Sequence, residues 1–381
     1  MSSLEVRVPV KPKRRSLLDA SDAGPVSLHR RRGGNAELAA LKETLRDAGI
    51  FSPVPGYYSR KLCEVLLLWG VSVAALLLFP RSLFVLGVGP LLALTTGQTV
   101  LLAHDVVHGA AFTSRNVWIA GLRRTLPHVL IGLFSGGSAS WWKQSHNAHH
   151  VLSNDAERDP DIDYPFLAFD IEQARDKAAF FHPVLRNQHV LVWFMLPAVA
   201  ITMRLYSVAF LLRRLTRPGH HRLRRALELV VLVAHWILYL GLMSTLPPLV
   251  AVAIVAMHQA GFAVYLALIT ASNHWAMPMP NAEQLSFVEH QVTTSRNIRG
   301  GALVQFFYGG LDAQIEHHLF TGLPRPRLLQ ARPFIRAFCQ QRGIPYAEEG
   351  PVEAIKLVYQ RLRSVAFEVR ALDWACLEEV D

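Results

Sequence analysis

Cysteine is scarce in this chain of 381 residues: Cys63, Cys339 and Cys376 are scattered and show no metal-type pairing. That excludes a disulfide framework and fits a reducing compartment. Charge is sparse too. With 18% of residues charged and 51% hydrophobic, the balance is too apolar for an ordinary soluble enzyme. The first 50 residues lack an apolar core, so no cleavable signal peptide is expected. Acidic residues are outnumbered, 29 against 39 basic, for a net charge of +10. The basic residues gather beside apolar runs, which points to a lipid surface and to no nucleic-acid partner. Neither an internal repeat nor a low-complexity stretch is present.

What the chain has is long apolar runs. Leu83 to Ala103 is 21 residues without a charge, Leu249 to Ala271 is 23, Leu229 to Leu246 is 18 and Val65 to Phe79 is 15. At about 1.5 Å per residue, a hydrocarbon core of about 30 Å takes about 20 residues. The fold class read from this is an all-α integral membrane protein with four transmembrane helices, about 62–79, 83–104, 227–246 and 249–272. They form two hairpins, turned at Pro80-Arg81-Ser82 and at Pro247-Pro248. The densest basic cluster, Arg213, Arg214, Arg217, His220, His221, Arg222, Arg224 and Arg225, precedes the third span. Others are Lys11 to Arg15, Arg30 to Arg32 and Arg325 to Arg336. Basic short loops mark the cytoplasmic side, which places both termini and the large middle loop there. The alanine- and arginine-rich composition suggests a bacterial plasma membrane.

Around the spans, 1–34 reads as a flexible basic tail, 35–345 as the main domain and 346–381 as a C-terminal amphipathic tail with a helix near 352–366. Ala36 to Ile50 reads as a short amphipathic helix with Leu38, Leu41 and Leu45 on one face. His189 to Leu212 is apolar enough to cross a membrane, but parity argues against it. The loop before it carries a histidine cluster and the loop after it is the densest basic patch; a crossing separates them. Pro197 and Arg204 also interrupt it. An in-plane or re-entrant helix is expected there, and likewise over Val117 to Ser135, broken by Arg123 and Arg124.

The chemistry is carried by histidine. His104-Asp105-Val106-Val107-His108, His146-Asn147-Ala148-His149-His150 and Gln314-Ile315-Glu316-His317-His318 each follow an apolar stretch. Spacings of three or four stack imidazoles on one helix face. With 17 histidines in the chain, one HxxHH arises by chance roughly 0.03 times. All three clusters fall on one membrane face, forming a histidine-rich cytoplasmic cap. The seven imidazoles, with His274 as an eighth, exceed the four that one zinc takes. They suit two octahedral irons with open positions for dioxygen. Asp105, Asp161, Asp163 and Glu316 are placed to accept the outer ring N–H groups. His235 and His258 lie deep in spans and read as interhelical polar contacts.

These motifs resemble the membrane fatty acid desaturases. The likeness rests on the three boxes, on Trp141-Trp142-Lys143 leading into His146, and on Asp159-Pro160-Asp161-Ile162-Asp163. It covers about 55 to 345 and points to the front-end, linoleoyl-CoA-desaturase-like branch, in which Gln stands first in the third box, as Gln314 does. The resemblance implies a di-iron centre held by His104, His108, His146, His149, His150, His274, His317 and His318, with Gln314 a weak ligand or acting through water. Asn147, Asn273 and Asp312 join the carboxylates as outer groups. Trp141, Trp142, Gln291 and Thr294 are implied near the acyl chain, although a tryptophan pair beside a membrane is also a common belt anchor. The implied reaction is O₂-dependent removal of two hydrogens from a fatty acyl chain, leaving a cis double bond. The substrate is carried on CoA, a carrier protein or a lipid ester.

Three departures stand out. Asp312 replaces the branch's usual Asn, Thr321 replaces a usual Pro, and no His-Pro-Gly-Gly cytochrome b5 motif occurs. Electrons are therefore expected from a separate ferredoxin, cytochrome b5 or reductase. Two other outcomes share the site: a di-iron hydroxylase, and a metal-buffering protein without turnover. A zinc-binding membrane receptor or hydrolase, needing only three or four histidines, is a further alternative.

Overall fold

The computed structural model describes residues 34–112, 116–216 and 222–372. The expected tail, the basic clusters at 11–15 and 30–32, Arg217, His220, His221 and Cys376 lie outside the described residues. Helix α1 (Gly34–Asp47) buries Leu41 and Leu45 as its apolar stripe predicts. Helix α2 (Pro55–Leu78) opens with proline in its first turn, where the missing N–H costs nothing. A 3-10 turn (Leu83–Gly87) leads into α3 (Val88–His108), which stops at Gly109 with φ 75; glycine takes that left-handed cap without a Cβ clash.

Asn116 caps α4 (Val117–Pro127), which runs into one π-helical turn at His128–Leu133. Ser138 caps α5 (Ala139–Leu152). Two short helices follow, α6 (Ile171–Arg175) and α7 (His182–Leu185). Next come α8 (Gln188–Met195) and α9 (Val199–Leu215), joined by a 3-10 turn containing Pro197. The long hairpin is α10 (Arg222–Met243) and α11 (Pro248–His274). The remaining helices are α12 (Phe287–Thr293), α13 (Ala302–Tyr308), α14 (Gln314–Leu319), α15 (Arg325–Gln341) and α16 (Pro351–Ala371). Strands β1 (Arg296–Ile298) and β2 (Ala347–Glu349) pair in parallel, Asn297 opposite Glu348.

Helix α3 is the hub. It is largely buried and packs along α11 and against α2. Gly97 makes the closest approach possible: a Cβ there would stand 2.2 Å from the Tyr265 ring. Between the long helices, His258 bridges Thr96 Oγ1 and Tyr239 OH, each at 2.9 Å, and His235 Nδ1 donates to Leu133 O at 2.7 Å. These are the interhelical contacts expected of both histidines. Helix α16, expected as part of a tail, buries Ala354, Val358, Leu362 and Val365 against α8, α11 and the segment around them.

Among the described residues, five stretches are long and apolar enough to cross a membrane: Gly56–Leu78, Leu83–His108, Gln188–Leu215, Arg222–Met243 and Pro248–His274. Four match the expected spans. The fifth is the α8–α9 segment, which length and composition alone do not set apart.

Candidate metal centre

All eight singled-out histidines converge. Helix α3 delivers His104 and His108 from its last turn, and α5 delivers His146, His149 and His150. Helix α11 ends on His274, and α14 adds His317 and His318. They sort into two adjoining groups. Nitrogens of His104, His108, His146, His150 and His317 lie within 4.8 Å of one another, as do those of His149, His274 and His318. The His150 and His318 rings, 4.4 Å between centroids, join the groups.

The close contacts fit a metal better than hydrogen bonds. His150 Nε2 lies 3.0 Å from His146 Nε2 and 3.2 Å from His317 Nε2. One proton cannot serve both pairs well, whereas two metal–nitrogen bonds of about 2.1 Å at a right angle leave their nitrogens about 3 Å apart. Nε2 of His104, His108 and His318 is buried with no hydrogen-bond partner, a state that native interiors rarely tolerate. Burial holds His146, His150, His317 and His318 well below the ordinary histidine pKa. Their rings are neutral, with lone pairs available, which is the form a metal binds.

The outer nitrogens are anchored. His149 Nδ1 lies 3.0 Å from Asp159 and 3.7 Å from Asp161. Burial opposes its protonation, but the two carboxylates outweigh that and push His149 up to about 9. Burial, by contrast, raises the Asp161 carboxyl to about 6. His318 Nδ1 donates to Gln291 Oε1 at 2.8 Å, and His274 Nδ1 to Thr294 O at 3.0 Å. His104 Nδ1 lies 3.3 Å from Asp105, which forms a buried ion pair with Arg325. Glu316 is held by Tyr346 OH at 2.6 Å and Asn297 Nδ2 at 2.8 Å.

Gln314 is oriented by a chain of forced polarities. Leu311 O accepts from Asn273 Nδ2 at 2.9 Å, so that atom is an NH₂; the same atom, 3.0 Å from Gln314, donates to Oε1. Gln314 therefore turns Nε2 inward, 2.8 Å from His274 Nε2. Since His274 Nδ1–H is committed to Thr294 O, His274 Nε2 is the acceptor.

A cavity of about 260 Å³ shares its wall with His104, His146, His149 and His274 and is otherwise mainly apolar. Trp141 and Trp142 line it, as does Gln314, but Gln291 and Thr294 do not. Those two, expected near the acyl chain, instead orient imidazoles. Asn147 is exposed on α5, Asp163 pairs with Lys177 at 3.0 Å and Asp312 lies 3.8 Å from Arg332. Sequence reasoning placed Asn297 only in a polar patch resembling the family's, and it assigned no outer role to Asp159, Arg325 and Tyr346. Asp159 sits in the quoted Asp-Pro-Asp run, where alternation alone does not select among its carboxylates; Arg325 and Tyr346 had no signal.

The fold and site define a helical protein, apolar enough to span a membrane, with two adjoining histidine clusters suited to metal. The chain belongs to the fatty acid desaturase family, whose model matches residues 80–350. It is similar to the Delta(5) fatty acid desaturase of Caenorhabditis elegans, 26% identical over 362 residues, which is 92% of this chain and 78% of the relative. It is 31% identical over 276 residues to the acyl-lipid 8-desaturase of Rebecca salina, 70% of this chain and 60% of the relative. With the Delta(6)-fatty-acid desaturase of Caenorhabditis elegans it shares 27% over 347 residues, 87% and 75%. These relatives bear out the front-end likeness. All are eukaryotic, and none supports the bacterial origin suggested by composition.

Proposed function

We propose that this desaturase introduces a cis double bond near the carboxyl end of a fatty acyl chain at a di-iron centre. His104, His108, His146, His150 and His317 would hold one iron, and His149, His274 and His318 the other. The single observation that carries the reading is the shared wall: an apolar cavity and both imidazole clusters meet at His104, His146, His149 and His274. Two irons, when bound, supply the power to remove hydrogen from unactivated carbon using O₂ and two electrons.

The chain's own residues do the rest. The mainly apolar cavity presents one stretch of the acyl chain, so geometry selects the carbon. Asp159 and Asp161 fix the proton on His149 Nδ1 and aim Nε2 at the metal. Gln314 offers N–H toward the second cluster, so it would act there as a hydrogen-bond donor in place of coordinating. Electrons come from a separate donor meeting the basic face, and the substrate's carrier is CoA, a carrier protein or a lipid ester.

Four spans are supported by where the ends of α8–α9 lie. At its start, Gln188 bonds Ala168, and the neighbouring Phe169 packs on Trp275, beside His274. At its end comes α10, whose Glu228 bonds Ser138 and Ser140 at the head of α5. Both ends sit on the histidine side, so the segment returns instead of crossing. That side is taken as cytoplasmic, from the basic residues flanking α10.

Gas chromatography–mass spectrometry of fatty acids, after expression with a compatible electron donor, tests the reading against His149→Ala. A new cis double bond made only by the wild type is expected. A hydroxy acid would reassign the outcome to hydroxylation, and iron-free purified protein would end the di-iron reading.

A further inference from the structure

The tryptophan pair in the first turn of α5 does more than line the cavity. The Trp142 ring lies nearly flat on an imidazole of the first cluster: its centroid is 4.6 Å from that of His146, with the planes 17° apart. His104, of the same cluster, meets the same indole edge-on at 5.9 Å. Trp141 is buried and stacks on Tyr206 of α9 at 6.1 Å and 23°. Both tryptophans and Tyr206 belong to one apolar cluster with Met203 and Trp236. Packing accounts for ring contacts of this kind, but not for the choice of rings. Indole and phenol are among the side chains most readily oxidised by one electron, and phenylalanine, which packs as well, is not. The charges nearby also favour one direction. The Arg204 guanidinium lies 5.5 Å from the Trp236 ring, where a fixed positive charge opposes a second one on the indole. Tyr206, half-buried, escapes that repulsion because a phenol that loses an electron also releases its proton and stays neutral.

We propose that Trp142, Trp141 and Tyr206 form a one-electron path that discharges the metal centre when no acyl chain occupies the cavity. This rests on the di-iron reading above. Reducing O₂ to two waters takes four electrons and four protons. In desaturation the external donor supplies two of the electrons and the acyl chain the other two, lost with its two hydrogens. Without an acyl chain, the missing two leave the Trp142 indole one at a time, and that ring is refilled through Trp141 from Tyr206. The Tyr206 hydroxyl gives its proton to solvent as its electron leaves. The same one-electron donor that serves desaturation then restores the tyrosine, which takes a proton back. Oxidation thus passes along replaceable rings in place of the histidines that hold the metal.

The test uses the purified full chain in nanodiscs with its iron counted. The protein is reduced stoichiometrically with dithionite, mixed with O₂ in the absence of any fatty acyl substrate, and freeze-quenched for electron paramagnetic resonance. An organic radical is expected in the wild type. Labelling with ring-deuterated tryptophan or ring-deuterated tyrosine should narrow its spectrum, which identifies the rings involved. Trp142→Phe at the same iron content should lose the signal. Tyr206→Phe, which leaves every histidine and both tryptophans in place, should keep a tryptophan radical and lose the tyrosine one. Absence of any tryptophan or tyrosine radical in iron-loaded wild type that consumes O₂ overturns the path without recourse to a variant. An undiminished radical in Trp142→Phe overturns it too. If the purified protein holds no iron, or holds it and consumes no O₂, the di-iron reading falls first and this inference with it.

Discussion

At the scale of single residues, protonation and polarity decide what the clusters can hold. His149 keeps its proton up to about pH 9 in the metal-free protein because Asp159 and Asp161 outweigh its burial. A metal arriving below that pH must displace the proton. Apparent Co²⁺ affinity of chelator-stripped protein should therefore rise between pH 7 and pH 9 and level off above about 9. In Asp159→Asn the rise should end nearer neutrality, and calorimetric titration at three pH values reads the difference; a flat wild-type profile would contradict it. Gln314 gives a second prediction. If its amide nitrogen faces the site, Gln314→Ala should keep two cobalt ions per chain while turnover drops about two- to tenfold, the worth of one hydrogen bond. His274→Ala should lose one ion of the two. A stoichiometry of one in Gln314→Ala would make the glutamine a ligand after all.

At the scale of elements, the histidines are only as well placed as the helices that bear them. Glu228, buried on α10, accepts from Ser138 Oγ at 2.7 Å, Ser140 N at 2.8 Å and Ser140 Oγ at 2.6 Å. It is a cap supplied from another helix to the start of α5, where carboxylate charge also favours the helix dipole. Glu228→Ala strands three donors and should cost about 1–3 kcal/mol, seen as a melting point several degrees lower and weaker cobalt uptake. Glu228→Gln, which retains an acceptor, should lose less. At the α3–α11 contact, Gly97→Ala drives a methyl into the Tyr265 ring and should cost about 1–3 kcal/mol by overpacking, measured by the same melt.

These couplings mark the limit of what sequence shows. The box histidines were legible because their spacing is local: three or four residues, one helix face. His274 was legible from its place at the end of an apolar run. Their anchors were not, since Gln291 meets His318 from 27 residues away and Arg325 meets Asp105 from 220. Long-range pairs of that kind leave no periodic trace. Stretches able to span a membrane were legible from length and apolarity, but α8–α9 shares both properties with the four expected spans, so neither property decides its path.

At the scale of the whole molecule, sidedness becomes the measurable consequence. Four spans put the loop after α5 and the α9–α10 junction on one face of the membrane, with the α2–α3 and α10–α11 turns opposite. Five spans separate the first two. In a background with Cys63, Cys339 and Cys376 replaced by serine, single cysteines at exposed Glu157, Thr216, Arg81 and Ser244 sample these four places. An impermeant maleimide applied to intact cells should label Arg81→Cys and Ser244→Cys. Glu157→Cys and Thr216→Cys should label together, and only after permeabilisation. Labelling of Glu157→Cys and Thr216→Cys from opposite sides would mean that α8–α9 crosses. The shared site could then survive only if His149 on α5 reached His274 and His318 through the bilayer, where exposed loop backbone has no partners. The convergence of α3, α5, α11 and α14 on eight imidazoles is therefore itself a constraint on topology: every element that supplies a histidine must end on the same face.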